Sequence, residues 1–268
     1  MLKDITLGQY FPGNSPIHRL DPRTKILFLI VYIVALFSAG NWASYAAVFV
    51  FLTFVIILSK IPLKSLLSGM KPLVMILIFT GVLNIFFTSG ERELVSFWKI
   101  TIYWEGVIRA VFMTLRIMML ISGTFLLTYT TSPISLTDGL ESLLGPLKKI
   151  RVPVHELAMM MCIALRFIPT LIEETDKIMS AQKARGADFE SGNLLQRVKA
   201  LVPILVPLFI SAFRRADELA TAMECRCYQG GDGRTKMKLL RYKLLDIEAG
   251  IFGILLLAAV FTLRYFGL

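Results

Sequence analysis

From Ile26 to Ser59 the chain carries no charged residue. That stretch is longer than the roughly 20 residues needed to cross a bilayer's hydrocarbon core. Gly40-Asn41-Trp42 interrupts it, and Trp42 suits an interfacial anchor. The pattern predicts two short, tightly connected helices, about 25–40 and 43–60. A third uncharged run covers Pro72 to Gly90, enough for one crossing. A fourth spans Gly106 to Thr130 and holds Arg109 and Arg116. The last runs from Ala249 to Leu263 and is extended by Tyr265 and Phe266. The fold class expected is all-α: a polytopic membrane protein with about five transmembrane helices.

Between the fourth and last spans the pattern changes. Residues 131–245 mix charge with apolar positions at helical spacing. Leu165, Ile168, Ile172, Thr175 and Met179 share one stripe. Leu201, Leu205, Leu208, Ala212, Ala216, Leu219 and Met223 share another. Such stripes are too continuous for a freestanding soluble domain and suit long amphipathic helices at the inner membrane face. Small Ala212 and Ala216 would let the two helices cross closely. Pro169 in the first helix, and Pro203 and Pro207 in the second, are expected to bend them or act as hinges. Three regions follow: 1–130 with four membrane helices, 131–245 with the amphipathic helices, and 246–268 with the last span.

Composition agrees with the membrane reading. Hydrophobic residues make up 56% of the 268, and only 18% are charged, below the quarter or so typical of soluble chains. Mean hydropathy is +0.68. A soluble enzyme, a disordered tail and a disulfide scaffold are excluded as main readings. Cys162, Cys225 and Cys227 are too few and too irregularly placed for a disulfide framework. The net charge of +10 lacks the interleaved aromatics or motif of a nucleic-acid binder.

Loop charges orient the spans. Lys3, Arg19, Arg23 and Lys25 precede the first helix, and Lys60, Lys64 and Lys71 follow the second without an acid. The Gly40 loop is neutral, and the 91–105 loop mixes Glu91, Glu93 and Glu105 with Arg92 and Lys99. By the positive-inside rule the N-terminus and the 131–245 region are cytoplasmic, and the C-terminus lies outside. Residues 1–18 lack the apolar core of a cleavable signal peptide.

A faint internal repeat marks the amphipathic region. A shift of 41 positions carries Arg185 onto Arg226, Asp176 onto Asp217 and Ala181 onto Ala222. It also places Ile178 and Met179 over Leu219 and Ala220. Each arginine falls in the last turn of its helix. Gly186 is a good left-handed terminator, and Gly230-Gly231 follows the second helix after a few residues. Two explanations are open. A cation at a helix's negative end gains about 0.3–1 kcal/mol and needs no partner. Alternatively, each guanidinium plugs into a carboxylate- or carbonyl-lined groove of another protein. Two similar tips would suit a dimeric or pseudo-dimeric partner.

The chain resembles the transmembrane energy-coupling (T) subunit of energy-coupling factor transporters over nearly its whole length. The resemblance rests on His18-Arg19-Leu20-Asp21-Pro22-Arg23-Thr24-Lys25, on Ala164-Leu165-Arg166-Phe167-Ile168-Pro169, and on the signature Ala184-Arg185-Gly186. The second signature keeps its arginine but reads Cys225-Arg226-Cys227 instead of Ala-Arg-Gly. The resemblance implies a non-catalytic subunit of an ATP-driven importer of a vitamin or other micronutrient. It implies two ATP-binding-cassette ATPase partners, docked at the two signatures and binding ATP and Mg themselves. It further implies a small membrane substrate-binding S subunit and no cofactor in this chain.

Other signals are weaker. Gly230 to Lys236 lacks the spacing of a phosphate loop and follows no strand, so it reads as a flexible cytoplasmic loop. Cys225 and Cys227 have no third or fourth ligand nearby in sequence for a metal. Only two histidines, His18 and His155, are present, and no catalytic cluster can be assembled. Glu173, Glu174 and Asp176 suit a solvated face or ion pairs with Lys177 and with Arg214 or Arg215. Arg109 can snorkel to the outer interface, whereas Arg116 lies deeper and faces protein, in a structural or a coupling role. The alternative function is a stand-alone secondary transporter or channel. That class shows inverted repeats within the membrane, whereas the repeat here is in the cytoplasmic segment.

Overall fold

The computed structural model describes residues 10–89, 93–97, 100–187, 189, 193–231 and 239–266. Lys3, the loop charges Glu91, Arg92 and Lys99, and the run from Asp232 to Lys238 lie outside them. The chain forms two compact units. One combines Gly8–Gly139 with Leu240–Leu268, and the other is Leu140–Leu239.

The first unit holds the apolar bundle. Helix α1 (Pro22–Ser38) leads through the Gly40 turn to α2 (Trp42–Ser59). Helix α3 (Leu63–Met70), a 3-10 turn and α4 (Val74–Phe87) form a continuous helical path of 25 residues. The third span thus begins nine residues before Pro72. That proline is accommodated in the 3-10 turn Lys71–Leu73, where a missing N–H matters least. Helix α5 (Trp104–Thr130) follows, and α9 (Leu244–Tyr265) closes the unit. Between α4 and α5 lies a two-stranded antiparallel hairpin, β1 (Glu93–Phe97) and β2 (Ile100–Tyr103), with a register shift between Glu93 and Val95. Its β-branched and aromatic residues favour strands, and the hairpin is a small addition to an otherwise all-α fold.

Among the described residues, five helical segments are long and apolar enough to cross a membrane: α2, α3–α4, α5, α9 and α7 (Val154–Ala184). The number agrees with the five or so spans expected from sequence. Helix α1 has 17 residues, and α7, read from sequence as a coupling helix, carries a membrane-grade apolar stretch. With these segments the chain is a multi-pass membrane protein.

The bundle core joins Tyr32, Ala35 and Leu36 of α1, Val48 and Leu52 of α2, Leu126 of α5 and Val260 of α9, among others. The Tyr32 hydroxyl donates to the Met119 carbonyl at 2.9 Å. Its ring lies so close to Gly123 that a Cβ there would come within 2.6 Å, so glycine is required for the α1–α5 approach.

Both ends of the bundle are closed by cations bound to helix carbonyls. At one end Arg116 donates through Nη2 to the Ala39 carbonyl (3.1 Å) and through Nε to the Tyr45 hydroxyl (2.9 Å). Its guanidinium also lies over the Phe37 and Tyr45 rings. Arg116 therefore terminates α1 by neutralising its carbonyl end, and its depth in α5 is explained structurally. At the other end the buried Lys25 donates to the Thr130 carbonyl (2.8 Å), Thr131 Oγ1 (3.1 Å) and the His18 carbonyl (3.4 Å). Asp246 accepts from the backbone N–H of Asp21 (2.8 Å) and of Lys243 (2.7 Å), and Asp21 caps α1 by accepting from Arg23 N–H. The motif His18 to Lys25 thus ties the starts of α1 and α9 to the end of α5, where the chain leaves and re-enters the bundle.

Candidate docking site

The second unit is built on two 31-residue helices, α7 and α8 (Leu194–Glu224). Helix α8 starts in a capping box. Asn193 accepts from the third-residue backbone, and the Gln196 side chain accepts from Asn193 N–H at 3.0 Å.

The two helices run antiparallel, as two cross-contacts show. Arg215 pairs with Glu174 and reaches Thr170 Oγ1, while Gln182 Nε2 donates a long bond (3.5 Å) to the Pro203 carbonyl. The second contact has a cause in sequence. The usual helical donor to the Pro203 carbonyl would be residue 207, and Pro207 has no N–H. Gln182, in the last turn before Arg185, partly fills that vacancy.

Glu174 and Arg215 are repeat equivalents, related by the same 41-position shift. The α7–α8 crossing thus has an approximate two-fold relation centred on this ion pair. Arg185 and Arg226 each lie 11 residues beyond it, about 16 Å of helix at 1.5 Å per residue, in opposite directions. Partial solvent exposure of the pair keeps its stabilisation in the range of about 0–1 kcal/mol. Arg214 instead pairs with Glu218 on its own helix, in solvent.

The two tips share one backbone geometry. At the end of α7, Arg185 N–H donates to the Gln182 carbonyl (3.1 Å), Gly186 N–H to Lys183 (3.0 Å) and Ala187 N–H to Gln182 (3.0 Å). At the end of α8, Arg226 N–H donates to Met223 (3.1 Å), Cys227 N–H to Glu224 (2.8 Å) and Tyr228 N–H to Met223 (3.1 Å). These three bonds map onto their counterparts under the 41-position shift; Arg185 N–H alone also reaches one residue further back, to the Ala181 carbonyl (3.2 Å). Gly186 sits at φ +87°, and Cys227, its equivalent, at φ +54°. Each tip ends in the Schellman pattern with a left-handed residue directly after the arginine. Cys227 is thus the residue that turns the chain at the second tip, ahead of Gly230, itself at φ +97°. The Cys-Arg-Cys departure preserves the cap at the expense of a non-glycine residue in a glycine conformation.

Of the residues singled out from sequence, Ala184, Arg185, Gly186, Cys225, Arg226 and Cys227 are all exposed. Pro169, Pro203 and Pro207 lie exposed inside unbroken helices. Among the described residues of α8, the buried ones are Ile204 and Ser211. Ala212 is half-buried, and Ala216 is exposed.

The apolar face of α8 is the other prominent surface. Leu195, Val198, Val202, Leu205, Phe209 and Phe213 recur every three or four residues, with exposure from 46% at Leu205 to 70% at Leu195. After Phe213 the large exposed side chains are polar, at Arg214, Asp217, Glu218, Thr221 and Glu224, with only Ala216, Ala220 and Ala222 between them. The helix is thus divided into an apolar first part and a polar second part that ends at the arginine. The stripe expected from sequence, from Leu201 to Met223, shares only Leu205 with this face and omits its bulkiest exposed residues, Phe209 and Phe213. They stand out only once the side of α8 covered by α7 is known.

Comparison with known proteins bears on this arrangement. The profile of the cobalt transport protein family CbiQ matches residues 13–237, a span that includes both tips. The chain belongs to the CbiQ family. Curated relatives that resemble the chain are called energy-coupling factor transporter transmembrane protein EcfT. The one from Clostridium kluyveri is 58% identical over 257 residues, covering 96% of this chain and 95% of the relative. That from Thermosediminibacter oceani is 59% identical over 250 residues, with 93% and 94% covered. That from Bacillus subtilis is 49% identical over 264 residues, with 98% and 100% covered. The CbiQ match takes in the motif from His18 to Lys25 as well as α7 and α8.

Proposed function

We propose that the chain is the transmembrane coupling subunit of an energy-coupling factor importer. Two ATP-binding-cassette subunits dock on the Arg185 and Arg226 tips and bind ATP and Mg. A small membrane S subunit carries the vitamin or other micronutrient and covers the apolar stripe of α8. The N-terminus, α7 and α8 face the cytoplasm, and the C-terminus lies outside. The chain itself performs no hydrolysis.

The observation that carries this reading is the repeated cap. A helix-dipole role asks only for a cation near each helix end. It does not ask for the same hydrogen bonds, the same left-handed residue and equal distances from a central ion pair. A pseudo-symmetric pair of exposed guanidinium tips suits a pseudo-symmetric pair of partners, each offering acceptors to one arginine. The apolar stripe in turn suits a partner embedded in the bilayer. The curated relatives' name, energy-coupling factor transporter transmembrane protein, supports the transporter-component part of this reading. ATP binding by the partners would change their spacing, and a two-helix lever would pass that change to the S subunit.

The test is the double variant Arg185→Glu/Arg226→Glu in the full transporter. It should purify as a folded chain that has lost both ATPases. A full complement of ATPases on the double variant would sink the docking reading.

A further inference from the structure

We infer that His155, anchored by Glu141, is a positioning residue for the second docking tip. The inference rests on the docking reading above and extends it to a residue outside both signatures. Glu141 lies in the last turn of α6 (Pro133–Leu143) and His155 in the first turn of α7. His155 Nδ1 and Glu141 Oε1 are 3.0 Å apart, and both side chains are largely covered, at 17% and 12% exposure. The imidazole also meets the chain coming down from the second tip. A Cβ added at Gly231 would overlap His155 at Cδ2 and Cγ, so the Gly231 backbone rests directly on the ring.

The position of this contact matters more than its strength. Beyond Arg226 the chain turns at Cys227, makes the Tyr228-to-Met223 bond that closes the cap, and turns again at Gly230. Gly231 then lands on His155. The tip is held on its helix side by the cap and on its outgoing side by the imidazole, five residues beyond the arginine. Glu141 fixes one edge of the ring through Nδ1. Nε2 is buried and has no hydrogen-bond partner among the described residues. The ring's other edge therefore serves through its flat shape, which admits a glycine backbone and nothing larger. Arg226 presents its guanidinium from a loop whose two ends are both fixed, and this limits the orientations it must lose on docking.

The experiment uses the full chain in lipid nanodiscs, alone and with the transporter's two ATPases. Amide exchange is read over 225–231 and over 183–187. His155→Ala should speed exchange over 225–231 by about tenfold, the scale of one lost buried hydrogen bond with its packing, and leave 183–187 unchanged. It should weaken ATPase capture by about tenfold, adding nothing to Arg226→Glu, and His155→Asn should restore part of both. Gly231→Ala, whose added methyl would overlap the ring at Cδ2 and Cγ, should reproduce the His155→Ala pattern. Unchanged exchange in both variants overturns the brace. Faster exchange with full capture, where Arg226→Glu abolishes capture, overturns the positioning role. Full capture in Arg226→Glu overturns the docking reading at this tip and the inference with it.

Discussion

Replacing Cys227 by glycine should strengthen the second tip, although it removes a side chain from the signature. Cys227 occupies the left-handed region at φ +54°, where a Cβ costs roughly 1–2 kcal/mol. Glycine removes that strain but gives up about 0.5–1 kcal/mol through the greater freedom of its unfolded backbone. The difference is a net stabilisation of about 0.5–1 kcal/mol, or a roughly two- to fivefold slower opening of the cap. The amides that report it are those of Cys227 and Tyr228, which bond to Glu224 and Met223 at 2.8 and 3.1 Å. Gly186→Ala is the mirror test, since φ is +87° there and nothing lies within 4 Å of an added Cβ. With no steric contact, its only penalty is conformational, and exchange at Gly186 and Ala187 should rise about fivefold. Hydrogen exchange with mass spectrometry, resolved to the two tips, measures both. If Cys227→Gly accelerates exchange at Cys227 and Tyr228, the two caps are not equivalent and the argument from repeated geometry fails.

Two further outcomes test the bundle. Arg116→Met should lower the stability of the folded chain by about 1.5–3 kcal/mol, the scale of a charged hydrogen bond left unmade at the Ala39 carbonyl. Arg109→Met should do little, and thermal unfolding in detergent distinguishes them; equal effects would refute the capping role. Burial holds the His18 imidazole below its ordinary range, nearby Lys25 adds to this, and the Phe11 carbonyl opposes both. A histidine that prefers its neutral form when folded gives stability that is complete above about pH 6.5 and lost as pH falls from there toward the lowered value. Unfolding midpoints should therefore drop between pH 7 and 5, and His18→Gln should flatten that part of the curve. A wild-type curve already flat there would refute this.

The motif at the start of α1 shows how far local sequence can reach. His18 to Lys25 is recognisable as a pattern, and Asp21 before Pro22 reads as a helix start. What Lys25 does depends on Thr130, Thr131 and His18 converging on one amine. Asp246, whose carboxylate holds the Asp21 N–H, comes from 225 positions away. The hairpin between α4 and α5 is legible in its β-branched residues, although its mixed charges give no sign of it.

Hydrophobic periodicity by itself determined that this is a helical membrane protein, where the long amphipathic helices lie, and that two arginines end them. These are properties of runs and intervals, and a helix expresses them with few distant contacts. The tertiary structure alone decided which face of α8 is left apolar and that the two tips share one cap. It also decided that Glu174 and Arg215 sit at the centre of their relation, that Arg116 ends α1, and that Gly231 rests on His155. Each of these depends on which side of one helix meets another, and the interval between apolar residues carries no record of the partner.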